Sequence, residues 1–345
     1  MTDRDEACAR FLAAQGHAET PRHPVSGDAS NRRYERLGTG AGSVILMDAP
    51  PDKGEDVRPF IRIAAHLRTA GLAAPEILAA DEERGFLLLE DLGDDLFARV
   101  LAPLSGAALA EAEMRLYSGA IDVLAALHKV PLPQGIAPYD AAVMTDMAAL
   151  AFDWYLAGTD GSDPDARAAF HAAMRAELDT LDAPSVLILR DYHAENLLWM
   201  PGRTGLARIG LLDFQDAMAG HPAYDLVSLL QDARRDVSPG LETQMIARYC
   251  AATGTEAEAE AFSRAYHLLG LQRNLRITGV FARLCLRDGK RHYPDLIPRV
   301  WGHVLKDLAR PELAHLAPLV TGVLPEPTAE RLQSLKDQCR SKPTA

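Results

Sequence analysis

Asp191 and Asn196 form a D-x4-N pair inside the stretch "LRDYHAENLLW", and Asp213 ends the later run "IGLLDF". Charged and amide groups beside apolar runs are costly to place unless something needs them. A hairpin from Asn196 to Asp213 returns that carboxylate beside the amide. Two hard oxygen donors in one cleft suit Mg²⁺, which binds few protein groups and takes phosphate oxygens besides. The remaining carboxylate, Asp191, can orient a hydroxyl and accept its proton. Together these are the parts phosphoryl transfer requires: a metal clamp on the phosphates and a carboxylate at the nucleophile. The alternative is structural, with Asp191 in a turn, Asn196 capping a strand and Asp213 closing one.

Elements that would position these residues are legible around them. Residues 2–15 carry a helical pattern ended by Gly16. "RYERL" and "SVILMDA" read as a hairpin, and residues 54–71 as a helix with Val57, Phe60, Ile63, Ala64 and Leu67 on one stripe. "PEILAADEERGFLLLEDLG" reads as two more strands. Past residue 95 the pattern turns helical and Ala-rich, apart from short strands between 185 and 214, with "PGRTG" as a turn. The expected class is α+β: a two-lobe fold with a small antiparallel-sheet N-terminal lobe, residues 1–92, and a larger, mostly helical C-terminal lobe, residues 93–345.

Composition sets outer bounds. The 345 residues are 48% hydrophobic and 24% charged, as in an ordinary globular protein. A net charge of −12 argues against a nucleic-acid partner, whose phosphates it would repel. No stretch approaches the roughly 18 apolar residues of a membrane span, and the acidic N-terminus does not read as a signal peptide. Cys8, Cys250, Cys285 and Cys339 are widely spaced, so reduced thiols and a cytoplasmic location are expected. A monomer is expected.

"LRDYHAENLLW" followed by "GLLDFQDAMAGHPAYDLVSLL" resembles the catalytic core of the aminoglycoside phosphotransferase and choline kinase group, relatives of the protein kinases. The resemblance covers about residues 20–310. It implies a protein-kinase-like fold and a small-molecule kinase using ATP and Mg²⁺, with Asp191 as base and Asn196 and Asp213 as metal ligands. It also implies that Asp225 braces the catalytic loop through backbone N–H groups. Within the group, "SGDASNRRYERL", "VILMDAPP", "FLLLEDLGDDLF", "FDWYL" and "DFQDA" are together most similar to the bacterial anomeric kinases of N-acetylmuramate and N-acetylglucosamine in cell-wall recycling. Other small hydroxyl acceptors, such as an aminoglycoside, a choline-like alcohol or another sugar, stay open. So does a nucleotide-binding regulator without catalysis.

The resemblance assigns the nucleotide to the N-terminal lobe. "SGDASNRR" would face the phosphates, with Gly27, Ser30 and Asn31 offering backbone and hydroxyl donors and Arg32 or Arg33 adding charge. "GTGAG" at 38–42 is a hairpin turn on this reading. "LLLEDLG" would be the hinge, with the backbone of Glu90 and Leu92 on the adenine edge. Met47 stands where protein kinases carry the phosphate lysine, so Lys53, Arg32 or Arg33 supplies the charge, or the metal and backbone donors suffice. Leu189 replaces the histidine of the H-R-D loop. His193 is expected to bond a nearby carboxylate or backbone group, and Glu195 is either a substrate contact or a solvated charge. For the acceptor, Asp153 and Tyr155 offer a carboxylate and an aromatic face. Arg273, Arg276, Arg283 and Arg287 share a helical face. That face is either an anion site, suited to a lactyl carboxylate, or a set of salt bridges.

Overall fold

The computed structural model describes residues 3–25, 31–38 and 42–339. In chain order they form α1 (Asp3–Ala14), β1 (Arg22–Val25), β2 (Arg33–Leu37), β3 (Val44–Asp48), α2 (Arg58–Thr69), β4 (Ile77–Asp81) and β5 (Phe86–Glu90). Then come α3 (Phe97–Leu101), α4 (Gly106–Leu127), α5 (Ala141–Leu150), a π-helical turn (Ala151–Leu156), α6 (Ala157–Thr159) and α7 (Pro164–Leu178). Four short strands follow with α8 after them: β6 (Val186–Ile188), β7 (Leu197–Trp199), β8 (Ile209–Leu211), β9 (Met218–Gly220) and α8 (Ala223–Leu230). The chain ends in α9 (Leu241–Thr253), α10 (Ala259–Leu286), α11 (Ile297–Leu308), α12 (Ala317–Val320) and α13 (Ala329–Asp337). The two-lobe α+β expectation is met in kind: one five-stranded antiparallel sheet early, helices for most of the remainder. Strand β9, three residues long, escaped the sequence reading; β1 is an edge strand and so tolerates Pro24.

Two compact units emerge. One holds the chain up to Pro133 together with Ala194–Ala217; the other holds Gln134–His193 and the chain from Met218 onward. The boundary expected at 92/93 marks where the sheet ends; the division by compactness falls later because α4 packs on the β7–β8 hairpin. A Cβ on Gly119 of α4 would lie 2.9 Å from the Ile209 side chain.

In the first unit the sheet order is β1-β2-β3-β5-β4. Alternate residues of β2, β3 and β5 put Leu37, Leu46, Phe86 and Leu88 against Cys8, Phe11 and Leu12 of α1. The α2 stripe is buried as its spacing requires, through Phe60, Ile63, Ala64 and Leu67. Phe60 meets the Phe214 ring at 4.8 Å, which ties α2 to the segment carrying Asp213.

In the second unit the 28-residue α10 is the central strut, with 18 of its residues buried. It crosses the α5–π-turn junction closely enough that a Cβ on Gly279 would sit 2.2 Å from the Leu150 carbonyl carbon. Only glycine fits there. The expectation of four reduced thiols is corrected: Cys285 of α10 is disulfide-bonded to Cys339, 54 residues on, while Cys8 and Cys250 are free and buried. The wide spacing concealed the pair because α13 folds back on α10. No described helix is long and apolar enough to cross a membrane.

Candidate active site

Within the second unit, β6 runs into the loop bearing Asp191. Arg190 takes a left-handed conformation, φ 69°, which costs energy for a non-glycine residue and needs local over-determination. Asp225, wholly buried on α8, supplies it by accepting the N–H groups of Leu189 (2.6 Å) and Arg190 (2.9 Å). Burial pushes the Asp225 carboxyl up to about 7, against those two bonds and Arg273. Ser228, one turn along α8, donates to the Arg190 carbonyl at 3.0 Å and accepts from Arg273 Nη2 at 2.8 Å. Asp225 therefore stands where the resemblance put it, and Ser228 and Arg273 extend the brace.

Asp191 sits among cations. Burial raises its carboxyl, but Arg276, His193, Arg273 and Arg190 outweigh that and hold it below the ordinary carboxylate range. An ionised carboxylate near neutral pH is what a proton acceptor needs. His193 is buried, and burial lowers its pKa, the opposite of an exposed histidine's tendency beside acids. Leu189 is 3% exposed and packs as an apolar core residue, so its replacement of the usual histidine is tolerated. Glu195 is exposed.

In the first unit, the β7–β8 hairpin pairs Leu197 with Leu211 and Trp199 with Ile209. Its register carries Asp213 back to Asn196: Leu212 N–H donates to the Asn196 carbonyl at 3.0 Å, and Asn196 Nδ2 lies 3.4 Å from Asp213 Oδ2. Asp213 has φ 56°, and its second oxygen accepts from Gln215 at 2.7 Å. One carboxylate and one amide side by side suit a hard divalent cation whose remaining ligands are phosphate oxygens and water. Among the described residues no cluster of three or more His, Cys, Asp or Glu could hold a metal by itself, so a structural zinc-type site is not indicated by them. Gln215 was missed in the sequence; its only signal is its place two residues after Asp213.

Of the expected nucleotide residues, Gly27 and Ser30 lie outside the described residues, as do 39–41 of "GTGAG". Asn31 donates its N–H to Glu55 at 2.9 Å, and Arg32 Nε donates to Glu55 at 2.8 Å. The Glu90 N–H is taken by the Glu76 carbonyl at 2.8 Å. The Glu90 side chain pairs with Arg203 and Arg68. Asp91 accepts from Arg36, Ser43 and the Gly93 N–H, so the segment after β5 is pinned by charge.

Of the expected acceptor residues, Tyr155 does not reach a ligand surface: it is fully buried and its hydroxyl donates to the Pro325 carbonyl at 2.8 Å. Residue type alone could not show this, since a tyrosine beside an aspartate can equally pack in the core of a π-helical turn. Asp153 is bound by Arg167 at 2.6 and 3.1 Å. The arginine face splits in two. Arg287 pairs with its neighbour Asp288, whereas Arg273 and Arg276 turn toward hydroxyls, of Ser228 and Tyr224 respectively. Arg273 is only 3% exposed, and its Nε and Nη1 have no hydrogen-bond partner among the described residues. Tyr224, bonded to Tyr139 at 3.2 Å, completes this cluster around Asp191.

Known proteins match over most of the chain. A model of the phosphotransferase enzyme family matches residues 22–262. A protein of Caulobacter vibrioides named N-acetylmuramate/N-acetylglucosamine kinase is 39% identical over 91% of this chain and 95% of its own. A Neisseria meningitidis protein of the same name is 33% identical over 86% and 87%. Among solved structures, an ADP-bound aminoglycoside phosphotransferase superposes with TM-score 0.61 at 11% identity, covering 88% of this chain and 99% of the other. A choline/ethanolamine kinase family protein of Mesorhizobium loti gives 0.60 at 15%, covering 96% and 99%. At such identities the structural likeness speaks for the fold.

Proposed function

The chain belongs to the phosphotransferase enzyme family and is a small-molecule kinase; from that premise we propose that it transfers the γ-phosphate of ATP to the anomeric C1 hydroxyl of N-acetylmuramate and N-acetylglucosamine. The observation that carries the mechanism is the loop of Asp191, braced by Asp225 through the Leu189 and Arg190 N–H groups, with Arg276, His193, Arg273 and Arg190 holding the Asp191 carboxyl below the ordinary range against burial. The acceptor reading is supported by relatives at 33–39% identity whose names specify those two sugars.

Asp191 takes a hydrogen bond from the C1 hydroxyl, orients its oxygen toward phosphorus and accepts the proton as the new O–P bond forms and the bond from phosphorus to the departing ADP oxygen breaks. Asp225 and Ser228 fix the loop on which it stands. Asn196 and Asp213 would hold Mg²⁺, with Gln215 orienting the Asp213 carboxylate. Bound there, the ion would supply charge neutralisation on the phosphates. The Glu90 carbonyl and the Leu92 backbone meet the adenine edge. Arg273 and Arg276 take the lactyl carboxylate of N-acetylmuramate; a buried guanidinium with unmet donors favours an anionic partner.

The test is transfer from ATP to each sugar, with an aminoglycoside and choline as rival acceptors. Phosphorylation at C1 of the amino sugars supports the reading; turnover confined to a cationic acceptor overturns it.

A further inference from the structure

Every residue of α8 is buried, yet three polar side chains recur at every third position along it and its C-terminal cap: Asp225, Ser228 and Gln231. The first two hold the loop of Asp191. Gln231, also fully buried, bonds to other helices. Its Oε1 accepts from Asn274 Nδ2 of α10 at 2.6 Å. Its Nε2 donates to Asp307 Oδ1 of α11 at 3.1 Å and to Glu242 Oε1 of α9 at 3.4 Å. One amide ties the end of α8 to three helices of the second unit.

The partners are themselves fixed. Asp307 Oδ1 also lies 2.8 Å from His267 Nδ1, and Glu242 accepts from the Tyr266 hydroxyl at 2.8 Å and pairs with Lys306. Helix α10 makes room for the amide at Gly270, where a Cβ would lie 2.4 Å from Asp307 Oδ2 and 2.9 Å from Gln231 Oε1. A glycine inside a helix is destabilising in itself; here it is what admits the carboxylate and the amide. Ser228 meets Arg273 and Gln231 meets Asn274, adjacent residues of α10, so the seam between α8 and α10 is polar along its length. An apolar seam could settle in more than one position at similar energy. A buried polar one is satisfied in a single position.

We propose that Gln231 is a positioning residue for the transfer step: its bonds to Asn274, Asp307 and Glu242 set where α8 lies along α10, and with it the place of the Asp191 loop. It acts through α8 and not on the reacting atoms. The path to the base is short. One turn back along α8 is Ser228, whose hydroxyl bonds the Arg190 carbonyl; a second turn back is Asp225, which holds the Leu189 and Arg190 N–H groups. A misplacement of about 1 Å can cost on the order of 10²-fold in rate, so a small slip of α8 suffices. The inference rests on the reading of Asp191 as the base.

Wild type, Gln231→Met and Gln231→Met/Asn274→Leu test it, through steady-state kinetics, ADP-Mg²⁺ titration, urea unfolding and hydrogen exchange. The single change strands the Asn274 amide, whereas the double change removes both partners. The double variant should therefore unfold at a urea midpoint no lower than that of the single one. In both variants kcat should fall about ten- to a hundred-fold, while KM for ATP and Kd for ADP change by less than about two-fold. The Leu189 and Arg190 N–H groups should exchange about ten-fold faster relative to those of α13. Should the double variant fail to fold, Gln231→Met carries the test through the same ratios. A folded variant with kcat within about two-fold of wild type, or exchange that rises equally in the loop and in α13, overturns the assignment and leaves Gln231 a residue of the core alone. Wild type that transfers no phosphate to the sugar overturns instead the reading of Asp191 as the base.

Discussion

Ser228→Ala removes a single buried oxygen. Ser228 is fully buried; its hydroxyl accepts from Arg273 Nη2 at 2.8 Å and donates to the Arg190 carbonyl at 3.0 Å. The bond to a charged donor contributes about 1.5–3 kcal/mol and the neutral one about 0.5–1.5 kcal/mol. Their joint loss should destabilise the protein by about 2–4.5 kcal/mol. Arg273, 3% exposed, is then left with no hydrogen bond for its guanidinium among the described residues. Arg273→Met relieves that stranded charge, so Ser228→Ala/Arg273→Met should be less destabilised than the two single changes summed, with a coupling of about 1–3 kcal/mol. Urea titrations of the four proteins, with kcat measured alongside, give the cycle. The Arg190 carbonyl is the loop's tie to α8, so kcat should fall in Ser228→Ala as well. A Ser228→Ala protein within about 0.5 kcal/mol of wild type, or strict additivity in the cycle, would refute the brace.

Further outcomes follow from the same geometry. Arg276 heads the cations that lower the Asp191 pKa, so Arg276→Gln should raise it; the base then protonates at higher pH, and the acid limb of kcat at saturating substrate should move to higher pH. An unmoved limb in the pH–rate profile would sink that electrostatic account. Opening the 54-residue loop closed by Cys285 and Cys339 should cost up to about 4 kcal/mol, read as a lower urea midpoint for Cys339→Ser than for the unreduced wild type. An intact mass showing four free thiols would contradict it. Gly279→Ala should lose more than about 2 kcal/mol, since its Cβ would meet backbone atoms of Leu150 at 2.2 and 2.3 Å; circular dichroism melts would show it, and a melt like that of wild type would mean the crossing relaxes freely.

Much of this site was legible because its logic is local. The spacing of Asn196 and Asp213 is the length of one short hairpin, and hairpin register follows from alternation and turn residues. Asp225 was legible through its string. The α2 stripe, the sheet strands and the long α10 all announce themselves by period. What stayed hidden depends on long-range contact or on irregular helix. Tyr155 was expected at the acceptor because an aromatic next to a carboxylate suits a sugar face, but it is buried and bonded to the Pro325 carbonyl. The disulfide needs α13 to return to α10 over 54 residues, which no local pattern reports. The acidic pairing expected as one alternative for the arginine face holds for Arg287, while Arg273 is satisfied in part by a serine 45 residues away. Glu55 gave no sign of its pairing, because its partners Asn31 and Arg32 reach it across 24 and 23 residues.

The central claim is that Asp191 is the base of a phosphate transfer to an amino sugar's C1 hydroxyl. Transfer of label from γ-³²P-ATP to N-acetylmuramate, compared between wild type and Asp191→Asn, tests it most directly. With ADP binding retained, the account predicts turnover by wild type and a fall of about 10²–10⁴-fold in kcat for the variant. Full turnover by Asp191→Asn would contradict it.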